Sequence, residues 1–214
     1  MSPAGLTAAL AAVGSLLLPA AARAQAGHTL GLGIGLAPSW DETEVLGSVA
    51  DRSGLLVEGA AELALSFVEV GLVYRQGSLS TSDGTGQRDV VEGQAMLGLR
   101  FIPWLKIEAG PRIRAYATPA GTERWVFWEG RVEAAARVLR PAGWVSLRVG
   151  RALGADVPGL AFDRGQGAEA TLQLRLGRSP FWGRLGYWIH RASMGGGQRV
   201  ETIQGLSAGL MVVP

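Results

Sequence analysis

The sequence predicts an all-β chain closed into an up-and-down antiparallel barrel of about ten strands, with eight as the alternative count. Three observations carry that expectation. Apolar and polar residues alternate with a period of two in one segment after another. Gly167–Leu176 is the cleanest case: Ala168, Ala170, Leu172, Leu174 and Leu176 share one face of an extended chain, and Glu169, Thr171, Gln173 and Arg175 share the other. The chain has 32 glycines, which favour turns and strongly curved strands over helices. Short and long connections also alternate along the chain, as in a meander with brief turns at one rim and larger loops at the other.

The amino-terminal stretch reads differently. Gly5–Leu18 is a short run rich in Ala and Leu, followed by Pro19 and by AAARAQA at Ala20–Ala26. Ala22-Arg23-Ala24 and Ala24-Gln25-Ala26 both fit a small-x-small cleavage site. The expectation is a signal peptide over residues 1–24, cleaved after Ala24 or Ala26, and one barrel domain over 25–214. The apolar run is too short to cross a bilayer as a helix. Cysteine is absent, which excludes disulfides and thiolate metal sites. The 20 basic residues nearly balance the 18 acidic ones, so nothing marks a nucleic-acid surface.

Strand one is expected over His28–Ala37, with Leu30, Leu32, Ile34 and Leu36 opposite Gly31, Gly33 and Gly35; Pro38 ends it. Ser39–Ser53 reads as a long polar loop. Strand two (Leu55–Leu65) sets Val57, Ala61 and Leu63 against Glu58 and Glu62, and strand three (Val68–Gln76) sets Val70, Leu72 and Tyr74 against Glu69 and Arg75. Ser78–Asp89 is a loop of Ser, Gly and Asp. Strand four (Val90–Phe101) opposes Leu97, Leu99 and Phe101 to Glu92, Gln94 and Arg100. Strand five (Leu105–Tyr116) opposes Ile107 and Ile113 to Lys106, Glu108, Arg112, Arg114 and Tyr116. Pro111 inside it demands a bulge or a local pairing defect.

Strand six (Trp125–Val138) opposes Val126, Trp128 and Val132 to Glu129, Arg131, Glu133 and Arg137. An amphipathic helix over Glu129–Arg140 is the alternative, with Glu133 and Arg137 one turn apart. Strand seven (Trp144–Ala152) carries Val145, Leu147 and Val149 against Arg148, and Leu153–Gln166 reads as a long loop. Strand eight is the segment described first. Strand nine (Trp182–Arg191) sets Leu185, Tyr187 and Ile189 against Arg184, Trp188 and His190. Strand ten (Val200–Val213) sets Leu206, Ala208 and Leu210 against Gly205, Ser207 and Gly209. Each strand is about 9–12 residues long, enough for a tilted membrane crossing.

Alternation does not say which face points outward. The apolar face is unbroken by charge, and the polar face is charged on nearly every strand. Trp40, Trp104, Trp125, Trp128, Trp144, Phe181 and Trp182 lie near strand ends, where an interfacial aromatic girdle belongs. The sequence therefore predicts a transmembrane barrel with lipid against the apolar face. Its lumen is filled by a charge network: Glu58, Glu62, Glu69, Glu92, Glu108, Glu129, Glu133 and Glu169 with Arg75, Arg100, Arg112, Arg114, Arg131, Arg137, Arg148, Arg175 and Arg184. Buried charges persist only when paired, so a packed lumen is favoured over an open pore.

On this pattern the chain resembles the small bacterial outer-membrane β-barrels, the OmpA/OmpX-like barrels in particular. The resemblance implies export to the outer membrane, periplasmic termini, contact with outer-membrane lipid, and the barrel-insertion machinery as an assembly partner. Such barrels usually end in an aromatic residue, whereas this sequence ends Met211-Val212-Val213-Pro214. Some barrels of this kind are hydrolases that use a His/Asp or His/Ser pair; His190, with Ser193 three residues on, is the candidate for such a rim site. No cofactor, catalytic set or metal-ligand spacing is apparent. The function expected is an integral, non-enzymatic barrel, structural or weakly conducting; a narrow solute channel and a rim hydrolase are the alternatives.

Overall fold

A computed structural model describes residues 28–84, 86–118, 121–139 and 143–213. The proposed signal peptide lies outside them. Ten strands follow in order: β1 (His28–Val45), β2 (Ser48–Leu65), β3 (Val68–Ser80), β4 (Arg88–Ile102), β5 (Leu105–Thr118), β6 (Gly121–Leu139), β7 (Gly143–Asp156), β8 (Phe162–Arg175), β9 (Phe181–Met194) and β10 (Arg199–Val212). Each pairs antiparallel with its sequence neighbour, and β1 pairs with β10 to close the barrel. Closure removes the unpaired edges that an open sheet would expose. The ambiguous segment Glu129–Leu139 is strand, because β5 and β7 both supply pairing partners for it.

The strands are longer than a membrane crossing requires, running from 13 residues in β3 to 19 in β6. Two expected loops are therefore mostly strand. Ser39–Ser53 continues β1 and β2 to a two-residue turn at Leu46 and Gly47, whose φ of 50° and 84° suit the tight primed turn of a hairpin. Leu153–Gln166 continues β7 and β8, leaving only 157–161 as loop. The two rims thus differ mainly through strand extension. The distal rim, opposite the termini, carries the extensions.

Neither internal proline breaks its strand. Pro38 pairs with Leu55 of β2, while the β1–β10 ladder skips Ala37 and Pro38 and resumes in the same register. Pro111 pairs with Trp128 of β6, and the β4–β5 ladder skips Gly110 and Pro111 without a register change. A residue in an antiparallel strand directs its N–H to one neighbour only, so proline costs one ladder bond on one side. Beside this gap the two strands come close: a Cβ at Gly110 would stand 2.0 Å from the carbonyl oxygen of Ala95.

Candidate functional site

The outer face carries a continuous apolar belt. Its upper limit runs through Trp40, Leu55, Tyr74, Val91, Ala115, Val126, Val149, Ala168, Ile189 and Leu206 on β1 to β10. Its lower limit is the terminal rim, near Leu30, Leu65, Phe101, Leu176, Phe181 and Val212. Every second residue between these limits faces outward, and none of those described is charged. Many are large and exposed, among them Leu97, Leu147, Leu185 and Leu210. Among the described strand residues, charge appears on the outer face above the belt, as Glu42, Asp51, Asp89, Arg124, Arg151 and Arg191.

Inside, the register places charges on shared rungs. One rung runs Arg184, Gly209, Gly35, Glu58, Arg75, Glu92 and Arg114 across β9, β10 and β1 to β5. Signs alternate along it, so each neighbour is a partner. Arg75 donates to Glu58 at 2.7 Å and to Glu92 at 2.8 Å, and Arg114 donates to Glu92 at 2.5 Å. Arg184 reaches over the two glycines towards Glu58, at 3.4 Å. A Cβ at Gly209 would meet the backbone oxygen of Ile34 at 2.4 Å, so glycine is also what lets β1 and β10 approach.

A second rung runs Arg100, Lys106, Glu133, Arg148, Glu169 and Trp188. Lys106 lies 3.1 Å from Glu133, and Arg148 lies 2.5 Å from Glu133 and 3.3 Å from Glu169. Glycines again make room for side chains that lie along the wall. A Cβ at Gly150 would stand 2.6 Å from Cγ of Arg131, and one at Gly167 would stand 2.5 Å from Nδ1 of His190.

Towards the distal rim the interior turns apolar. Tyr116, Trp125, Phe127 and Phe162 stack edge to face at centroid distances of 5.3, 6.1 and 6.1 Å. Leu56, Leu79, Val90, Trp188, Met194 and Ile203 pack into the same cluster. Arginines cap these rings, with Arg88 3.5 Å from the Tyr116 centroid, Arg75 4.5 Å from Trp188 and Arg199 4.6 Å from Trp125. Arg88 also bonds Asp41 at 2.6 Å, and Tyr116 donates to Glu201. The aromatic cluster and the ion pairs occupy the distal and middle parts of the interior. At the terminal rim a vestibule of about 460 Å³ remains, bordered by Glu62, Lys106, Arg148 and Trp182.

Most residues assigned to the lumen face inward and make the contacts just given; Arg112 pairs with Glu129 at 2.6 Å, as does Arg131. Glu69 pairs with Arg100 and Lys106 near the terminal rim. Three depart from the expected network. Arg175 donates to the carbonyl of Ser179 in an exposed turn, Arg137 stacks on Trp144 at 4.8 Å, and Glu62 only approaches Arg148, at 3.9 Å. Asp41 and Arg88, read as loop residues, belong to the interior: above the belt both faces of β1 are polar, and the contrast that marks a strand disappears.

The girdle also needs correction. Trp40, Trp128 and Phe181 are exposed on the outer side, and Trp104 is exposed in the turn between β4 and β5. Trp125 is 1% exposed inside the barrel, and Trp144 and Trp182 line the vestibule. Proximity to a strand end does not fix the face; parity does. His190 is likewise not on the rim. It is 6% exposed, packs 5.7 Å from Trp188, and its Nδ1 has no hydrogen-bond partner among the described residues. Ser193, three residues along the strand, faces the other way and donates to Asp163.

No protein-family model matches the chain, and no curated protein matches it in sequence. Among solved structures, the outer membrane protease OmpT from Escherichia coli aligns over 87% of this chain and 96% of its own, with a TM-score of 0.59 and 8% identity. An outer membrane channel from Pseudomonas putida F1 aligns over 90% and 97%, with a TM-score of 0.48 and 12% identity. The translocator domain of the autotransporter NalP from Neisseria meningitidis aligns over 97% of both chains, with a TM-score of 0.47 and 13% identity. At such identities the likeness is one of fold, and that fold is the closed up-and-down barrel of the small bacterial outer-membrane β-barrels.

Proposed function

We propose that the chain is an integral outer-membrane barrel, non-enzymatic and closed along its axis, with both termini in the periplasm. The observation that carries this reading is the contrast between the two faces. An outer belt without a charge on ten strands costs nothing in hydrocarbon and exposes a large apolar area in water. On β4 the belt spans Val91 to Phe101. At about 3.4 Å per residue and a tilt of about 40°, that is roughly 26 Å, close to the ~25 Å apolar band of such barrels.

The plugged lumen supports a structural role over conduction. Glu92 and Phe127 are buried at about the same level inside the barrel, among the ion pairs and stacked rings, which supports a closed axis. The absence of enzymatic chemistry is supported by the placement of His190, which shares no face with Ser193. Fractionation tests the location: the protein should leave cell envelopes only in detergent and migrate differently on gels before and after boiling. Planar-bilayer recording tests the plug. No conductance steps are expected, and steady unitary currents would replace this reading with that of a narrow channel.

A further inference from the structure

The vestibule is not charge-balanced. Five carboxylates line it, on Glu62, Glu69, Glu108, Glu133 and Glu169. Four of them have a cationic nitrogen within hydrogen-bond reach: Lys106 at 2.7 Å from Glu69 and 2.8 Å from Glu108, Arg148 at 2.5 Å from Glu133, and Arg184 at 2.9 Å from Glu169. Arg100 adds a second cation to Glu69, and Arg131, which also lines the space, is held by Glu129. Glu62 is the exception. Among the described residues its nearest cation is Arg148 at 3.9 Å, already shared among Glu108, Glu133 and Glu169, and its side chain is 43% exposed.

The wall around Glu62 is also bare. On its own rung Glu62 stands between Gly31 and Gly71, and a Cβ at Gly71 would meet nothing within 4 Å. Gly31, Ala64 and Gly71 on β1 to β3 leave this side open, while most of the long charged side chains around the cavity rise from β5 to β8. Trp182 and Met211, paired on β9 and β10, give the same space an apolar side. A volume of about 460 Å³ falls within the range of small-molecule sites.

We propose that this vestibule is a binding site for small amphipathic cations, in which the Glu62 carboxylate takes an ammonium group and the Trp182–Met211 side takes the apolar body. The proposal stands on the cavity alone and does not require a closed lumen or a particular membrane. An anion would meet four other carboxylates before any unengaged cation, and a neutral ligand would leave the spare charge of Glu62 unmatched.

The test uses the full chain folded in a non-ionic detergent and titrated calorimetrically with phenethylammonium, with 2-phenylethanol as the uncharged isostere. Phenethylammonium should saturate at one site and bind several-fold more tightly than the alcohol. Glu62→Gln should weaken the cation on the order of tenfold and leave the alcohol unchanged, as expected for loss of one charge-assisted contact. Gly71→Leu, which grows into open space, should abolish both. Glu123→Gln, on the distal rim, should alter neither. Heat-modifiable migration of each variant reports that it is folded. Equal affinity for cation and alcohol, indifference to Glu62→Gln, or no saturable binding would each overturn the proposal.

Discussion

A single charge on the outer wall distinguishes lipid contact from water contact. Leu97 faces outward on β4, 55% exposed, between Val70 of β3 and Ala109 of β5. It lies four residues from Phe101 and six from Val91, roughly 10 and 16 Å from the two edges of the belt along the normal. Leu97→Arg therefore places a guanidinium near the middle of the hydrocarbon, where an outward Arg costs about 2–4 kcal/mol. If the same wall faced water, the substitution would replace one exposed side chain by another and change stability by about 0.5 kcal/mol or less. Leu153→Arg is the companion: Leu153 is 74% exposed and lies above the belt, so its cost should stay below ~1 kcal/mol in either case. Equilibrium urea unfolding in phospholipid vesicles, followed by tryptophan fluorescence, gives both numbers. Equal, small effects at the two positions would refute the membrane reading, because no depth dependence would remain.

Other outcomes follow from the interior. Glu92 is 2% exposed and accepts from Arg75 and Arg114; Glu92→Gln should cost about 3–5 kcal/mol by the same unfolding assay, since it leaves buried guanidinium groups short of a counter-charge. Glu123→Gln, which loses only a rim contact to Arg199, should cost less than ~1 kcal/mol. In single-tryptophan variants, brominated acyl chains should quench Trp128 and leave Trp125 and Trp188 bright. Gly110→Ala should destabilise by about 2–3 kcal/mol, because its Cβ would have to push β5 away from the carbonyl of Ala95. A neutral result there would mean that the strands part easily at Pro111.

The sequence is legible along the apolar belt. From Ala168 to Leu176 the alternation has no ambiguity, and within the belt the parity of Leu97, Leu172 and Leu185 matches the outward face of their strands. Legibility fails where the belt ends. Around Trp40, Asp41 and Glu42 both faces tolerate polar groups, so continuing strand looks like loop. It fails again where the interior is apolar: Trp125, Phe127 and Ile203 sit on the side that carries charge lower down, which is why the first half of β10 looks irregular. The partners of the ion pairs are hidden for a different reason. Pairing Arg184 with Glu58 requires knowing that β1 and β10 meet and at what register, and no local pattern carries that. The glycines at positions 35 and 209 are a trace of it, visible only after closure is known.

The seam between β1 and β10 joins Leu32 to Val212 and extends past the belt as far as Val45 and Arg199. Because its two members lie at opposite ends of the chain, it encloses the longest loop of any strand pair and carries the largest entropic cost of contact formation. It should therefore form last in folding, after the nearest-neighbour hairpins have assembled. Until then Glu58 and Arg184 have not met, and both edge strands stay open to other chains. The extra rungs from Asp41 to Val45 then work as a latch: they lie beyond the apolar belt, and they hold the finished cylinder shut against sideways opening.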